Sequence, residues 1–287
     1  MSQSRFAYVK TFELPDSLLP STYLVLRLDG KGFSKFSTAK GFTKPNDERA
    51  LKLMNSAAET LMRQLGKENI MCAFGESDEY SFVISPHCSL YNRRESKILS
   101  TCVSIFTSAY CSHWPRFFPT IPLLDDSNEI PAFDGRRIVQ YPLKAIVIDY
   151  LKWRQVDTHI NNLYNTVFWA LVQRGEMTAK QAHAELSGTV SSQKHEILFS
   201  RFGMNYNEEP EMFKKGSLLV WEEVEEAVAP PIAPKAENEN QHTSEEKEKH
   251  RKERKRKEKK SFRIAVVHED MLKDEFWAEG RGRTLLD

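Results

Sequence analysis

Two short stretches carry acidic residues where a buried chain would place few. YLVLRLDG, residues 23–30, is an almost continuous apolar run that stops at Asp29-Gly30. AFGESDEYSFVI, residues 73–84, has two apolar arms around Glu76, Asp78 and Glu79. Each acid alone is ordinary turn chemistry, because Asp, Ser and Gly favour turns. Their order is more informative: a strand ending in Asp, a helix, then a hairpin with Asp at its turn. If the strand lies beside the hairpin, Asp29 and Asp78 share one edge of a sheet. Two close carboxylates repel, and a divalent cation offsets that repulsion. Magnesium takes a few carboxylates plus substrate phosphates, and a metal pair about 3.5–4 Å apart suits phosphoryl or nucleotidyl transfer. Gly30 lets its carbonyl approach a metal, and the following KGFS offers backbone N–H groups to a triphosphate. The pattern is that of a polymerase-type palm, which nucleotide cyclases would share.

The elements that must position these residues are legible in outline. Residues 23–30 read as a strand buried on both faces. DERALKLMNSAAETLMRQL has Leu51, Met54, Ala58, Leu61 and Leu65 at helical spacing, with Asn46 or Asp47 as cap. IMCAF and YSFVI form an antiparallel hairpin around GESDE. Residues 92–114 read as a second helix stopped by Pro115, and RRIVQY (136–141) as a short strand. From Ala145 to Arg174 the pattern is helical again. Trp153, Val156, Ile160, Leu163 and Val167 form an apolar stripe, and Asp157, Asn161 and Asn165 a polar row. A shorter helix starts at Thr178 and ends at Gly188. GSLLVWEEVE (216–225) and FRIAVV read as paired strands.

Residues 228–260 are dominated by charge and proline, lack aromatics and end strongly basic. Such a segment cannot bury enough surface to offset its ordering entropy, so it reads as a disordered insertion in a hairpin loop. The expected fold class is α+β (mixed): a palm domain over 1–140 with an antiparallel sheet flanked by helices, and a C-terminal helical and β-hairpin extension over 141–287 sharing its core.

The chain has 287 residues, 40% of them hydrophobic, and a formal charge of +1, so composition excludes neither an enzyme nor a binding module. No apolar run approaches the roughly 20 residues of a membrane helix, so no membrane partner is expected. The N-terminus is polar and basic rather than signal-like. Four cysteines without CxxC or zinc-like spacing read as reduced thiols, hence a cytosolic or nuclear protein.

RLDGKGF, KPNDERALKLMN, FGESDEYSF, DYLKWRQVDTHINNLYNTVFWAL and KHEILFSRFGMNYNEEPEMFKKGSL together resemble the histidine tRNA guanylyltransferase family of eukaryotes. The resemblance spans roughly residues 4–223 and, more weakly, 262–277. It implies addition of one guanosine to the 5′ end of histidine tRNA, in the 3′–5′ direction, using ATP and GTP. It implies two Mg2+ ions held by Asp29, Asp78 and the Gly30 carbonyl, with Glu79 beside the catalytic pair. Lys31, Gly32, Phe33, Ser34 and Ser77 would join Asp29, Gly30 and Asp78 around the triphosphate, with Lys44 and Asn46 reaching phosphate. Arg93 and Lys97, read as i, i+4 on one helix face, would bind a nucleotide or the tRNA 5′ end. His159, Asn161 and Asn162, with Arg94 and Lys194, are expected to contact tRNA; Lys214 and Lys215 are weaker candidates. A homotetramer is also implied. A template-dependent 5′-end repair polymerase and a noncatalytic tRNA-binding scaffold are the alternatives.

Overall fold

The structure, a computed structural model, describes residues 4–125, 129–224 and 261–287. The insertion expected over 228–260 lies outside the described residues. One compact unit holds the described residues up to Val220 together with Val266–Asp287; the described residues between Trp221 and Ala265 belong to a second.

β1 (Tyr23–Gly30) is the strand expected from its apolar run. It pairs antiparallel with β3 (Glu79–Ile84), which forms a hairpin with β2 (Ile70–Glu76). The strand candidate at 136–141 resolves into β4 (Phe133–Gly135) and β5 (Val139–Tyr141), both paired with β1. β6 (Ser217–Val224) adds to β2, and β7 (Ser261–Val267) follows it in the order β4-β1-β3-β2-β6-β7.

Alternation along β3 shows how the sheet is covered. Tyr80 is buried against Phe106 of α3 (Glu95–Phe117), and its hydroxyl donates to Asn55 of α2 (Glu48–Leu65) at 2.9 Å. The next side chain, Ser81, bonds the Tyr150 hydroxyl of α4 (Lys144–Gln173) at 2.7 Å. Successive strand residues face opposite ways, so α2 and α3 cover one face and α4 the other. The aromatic rings of Phe33, Phe36, Tyr110, Trp114 and Phe133 pack α1 (Phe33–Ala39) onto α3.

Asp47 is the α2 cap; its carboxylate accepts from the Arg49 and Thr43 amides at 3.0 Å. Thr178 caps α5 (Ala179–Leu186) through a reciprocal bond with Gln181. α6 (Ser191–Phe202) and α7 (Glu211–Lys215) complete the helices that meet α4.

Three expectations need correction. The helix read from residue 92 begins at Glu95, because Tyr91, Asn92 and Arg93 have left-handed backbone angles. It runs past Pro115 to Phe117 rather than stopping there. On α4 the apolar stripe is largely outside: Trp153, Val156 and Ile160 are exposed, while Leu163 and Val167 are buried. The inward face carries Arg154, Gln155, Thr158, Asn162 and Thr166 instead.

Candidate active site

The two acids meet at one sheet edge. Asp29 faces Glu79 in the β1–β3 register, and the Gly30 amide donates to the Asp78 carbonyl at 3.0 Å. The end of β1 is thereby stitched to the hairpin turn, where Ser77 adopts φ 49°. A Cβ on Gly30 would lie 2.9 Å from the Asp78 Cβ and 2.4 Å from the Phe33 ring. Glycine is what allows this close approach.

Charge accumulates here. Burial, followed by the neighbouring Asp29 charge, pushes the Asp78 carboxyl up; Ser77 and Lys44 pull it back. Lys44 is half-buried, its Nζ donates to Ser37 Oγ at 2.6 Å, and burial lowers its pKa. On the other side the Arg136 guanidinium donates to Asp29 Oδ2 at 2.8 Å.

Among the described residues no group of three or more His, Cys, Asp or Glu forms a metal cluster. Two hard carboxylates at a cradle that a Cβ would fill nevertheless fit magnesium, which needs few protein ligands when phosphates supply the rest. Asp29, Asp78 and the Gly30 carbonyl are the donors present for it.

A cavity of about 350 Å³ opens beside Asp78. Ser34, Ser37, Lys44 and Ser77 line one side; Tyr164, Phe168, Trp169 and His183 line another. A polar, cationic end beside an aromatic wall suits a nucleotide. The amides of Gly30 and Lys31 are taken by Asp78 and Ala132 carbonyls, so they are not available to a triphosphate. Gly32, with φ 69°, caps α1, and its first-turn amides at Phe33 and Ser34 have no intrahelical acceptor. Phe33 contributes only backbone, since its ring is buried. Lys31 is exposed.

Glu79 lies on the α4 side. Its carboxylate stands 2.9 Å from Arg154 Nε and 3.5 Å from Arg27. Arg154 also contacts Glu76 at 2.7 Å and Asp157 at 2.9 Å. Burial, with neighbouring Glu79 and Asp157 sharing the same guanidinium, pushes Glu76 up to about 7 against the pull of Thr158 and Arg154. This buried ion network underlies the turn that carries Asp78.

The remaining candidates divide. Arg93 is buried, and its guanidinium donates to the carbonyls of Thr22 and Cys88 at 3.0 and 3.2 Å. It shares no helix face with Lys97, and its contacts tie the chain together rather than face a nucleotide. Lys97 is exposed over the Tyr91 ring, and Arg94 pairs with Asp16 at 3.1 Å. Asn162 is also corrected: it is buried, accepting from Asn46 and donating to the Tyr206 hydroxyl, each at 2.9 Å. Its amide is taken up by Asn46 and Tyr206, so it positions Asn46. Asn161 and Asn165 are exposed and line a small cleft next to Ser77. His159 packs edge-on to Tyr206, 5.5 Å between centroids. Lys194 donates to the Thr189 carbonyl at 2.7 Å.

Sequence reasoning missed Arg136, Arg154, Tyr206 and the aromatic wall. The one available signal is Arg154 three residues before Asp157 on a helix, where such charges meet.

The sequence model described as tRNAHis guanylyltransferase matches residues 6–142, and the one described as Thg1 C terminal domain matches 145–273. The chain is 50% identical over 282 residues to the tRNA(His) guanylyltransferase of Neurospora crassa, covering 96% of this chain and 94% of that one. It is 47% identical over 277 residues to that of Schizosaccharomyces pombe, covering 96% of each. The crystal structure of the Saccharomyces cerevisiae tRNA(His) guanylyltransferase superposes with TM-score 0.70 at 51% identity, covering 75% of this chain and 92% of that one. A bacterial Thg1-like protein in complex with ATP shares the fold, with TM-score 0.66 at 18% identity over 98% of this chain and 96% of its own.

Proposed function

The chain belongs to the tRNAHis guanylyltransferase family, and from that premise we propose how its site adds one guanosine to the 5′ end of histidine tRNA. The observation that carries this reading is the placement of Asp29 and Asp78 at one sheet edge beside a nucleotide-sized cavity. The chain is a nucleotidyltransferase.

The chemistry runs in two displacements at phosphorus. The 5′-phosphate oxygen of the tRNA attacks the α-phosphorus of ATP, and pyrophosphate leaves. The GTP 3′-hydroxyl then attacks the activated 5′-phosphate, and AMP leaves. Removal of the terminal pyrophosphate completes the addition. The protein's share in such reactions is positioning and charge stabilisation. Magnesium ions, two per site, would neutralise developing charge when held by Asp29, Asp78 and the Gly30 carbonyl. Lys44 places a cation at the cavity's phosphate end, with Ser34 and Ser77 as neighbouring donors. Asn46 is fixed by Asn162, and the Tyr164–Trp169 side excludes water around a base. Asn161 and half-buried His159 on α4, with exposed Arg94 and Lys97, are left to the tRNA. A homotetramer is proposed with this function, supported by the exposed apolar residues of the N-terminal segment and α4. Cytosolic or nuclear localisation is proposed with it, supported by the four free cysteines, and fractionation of the protein with a secretory or mitochondrial compartment would overturn it. Among the described residues no helix is long and apolar enough to cross a membrane.

The test is 5′-monophosphorylated histidine tRNA lacking its extra guanosine, incubated with ATP, Mg2+ and labelled GTP. Label is expected only with ATP, and only on histidine tRNA. Asp29→Asn and Asp78→Asn should each lower transfer by at least about a hundredfold, the scale of lost charge stabilisation, with unchanged circular dichroism. Label on truncated tRNAs of any identity would favour the repair polymerase. Bound tRNA without label would favour a scaffold.

A further inference from the structure

Arg136 is anchored at its backbone and loose at its tip. Its amide donates to the Arg27 carbonyl at 2.8 Å, just past the pairing of Gly135 with Leu28. The Cα therefore stays beside β1. The side chain is 55% exposed, and its contact to Asp134 is long, at 3.7 Å. The guanidinium is thus held chiefly by the 2.8 Å bond to Asp29 Oδ2.

That bond involves the carboxylate that a cation shared with Asp78 would use. A guanidinium and a divalent ion repel each other, and both seek the same negative charge. Lys44 offers a contrast: it is half-buried, bonded to Ser37, and placed toward Asp78. Arg137, one residue further on, is 89% exposed and lies 3.9 Å from Glu95 instead.

We propose that Arg136 competes with the divalent cation for Asp29 and swings off the carboxylate when the ion binds. The inference rests on the metal-site reading of Asp29 and Asp78. Arg136 is then a positioning residue with two effects. It holds the Asp29 carboxylate in place, and it weakens the site's affinity for a bare ion. An ion arriving with a nucleotide's phosphates meets less opposition, because the displaced guanidinium gains an anionic partner at the same edge.

The experiment is Mn2+ titration of the full-length protein without nucleotide, followed by the electron paramagnetic resonance of the free ion. Mn2+ accepts the same hard oxygen ligands as Mg2+. Arg136→Ala and Arg136→Gln should bind Mn2+ about two- to fivefold more tightly than the wild type, the ratio expected from one partly exposed ion pair. Arg136→Lys should fall between them, keeping the charge but losing the fork. Arg137→Ala should leave the affinity unchanged. Should Arg136→Ala melt early, Arg136→Gln carries the same expectation. Unchanged or weaker binding in the Arg136 variants would overturn the competition. Equal tightening by Arg137→Ala would reduce it to general charge and overturn it as well. Asp29→Asn separates the two levels: if it binds Mn2+ as well as wild type, the metal-site reading itself falls, and the competition with it.

Discussion

At the scale of single residues, His159 shows how burial sets the state in which a side chain could meet RNA. Its ring is half-buried beside Tyr206, and His195 also packs edge-on to that tyrosine. Burial lowers its pKa below 6.5, and the charges of His195 and Lys214 lower it further. At neutral pH the ring is therefore uncharged and can stack or accept a hydrogen bond, but it offers no cation to phosphate. Near pH 6 the unfolded chain binds more protons at this position than the folded one. The resulting stability is present above pH 6.5 and is lost as the pH falls through the folded-state value. His159→Gln should flatten that acid-side loss, measured by urea unfolding at pH 7.5 and at successive values below 6.5. Histidine NMR should place the wild-type midpoint under 6.5, and a midpoint above it would contradict the assignment. Asp29 and Asp78 are legible in the sequence, because a strand end and a two-residue turn fix where they go. Arg136 and Arg154 are not, because the partner of a long cationic side chain is decided by tertiary approach across 107 and 75 to 78 positions of sequence.

At the scale of elements, α4 is the clearest helix in the sequence, and its orientation is not the one its apolar stripe suggests. Periodicity establishes a helix and its faces but not which face turns inward. The middle of its buried face is polar, at Arg154, Gln155, Thr158, Asn162 and Thr166, with Val147, Leu151, Val167 and Leu171 buried toward the ends. The polar groups have hydrogen-bond partners, which removes most of the penalty of burying them. Gln155 donates to the Lys215 and Glu269 carbonyls at 2.9 Å each and accepts from the Met271 amide. Thr158 and Thr166 bond back to carbonyls one turn earlier. Asn162 links Asn46, just before α2, to Tyr206. Asn162→Ala should cost roughly 1–3 kcal/mol, because two polar partners are left unpaired. Tyr206→Phe should cost less, and the double variant less than the sum, since the bond is lost only once. Chemical denaturation of the four proteins measures this; strict additivity would mean the relay is not a unit. The hairpin and β1 need no such tertiary information. Their apolar runs and turn residues specify strand and loop locally, and their register follows from where the runs end. The left-handed backbone before α3 leaves little composition signal, because of Tyr91, Asn92 and Arg93 only the asparagine is of a type enriched in that conformation.

At the scale of the whole molecule, the apolar residues that α4 does not bury favour assembly. Trp153, Val156 and Ile160 recur three and four positions apart, so they form one outward stripe. Trp153 is 54% exposed even though its ring packs on the Arg154 guanidinium. Phe6, Tyr8, Phe12 and Leu14 are likewise exposed, and the helical turn Ala7–Phe12 buries none of its residues. Scattered apolar residues on a surface are ordinary, but an aligned stripe marks a contact surface. In the proposed homotetramer copies of the chain cover this surface, and a long tRNA can then span more than one subunit. Trp153→Asp combined with Ile160→Asp should shift sedimentation toward smaller species, because two buried charges would oppose the contact. Circular dichroism should be unchanged, since neither side chain supports the core. Transfer to tRNA should fall about tenfold or more, while nucleotide binding at the Asp78 cavity stays within about twofold, as expected when the lost interactions belong to the larger substrate alone. A wild-type protein that sediments as a monomer at working concentration, with full transfer activity, would remove the need for the assembly and leave the stripe to some other partner.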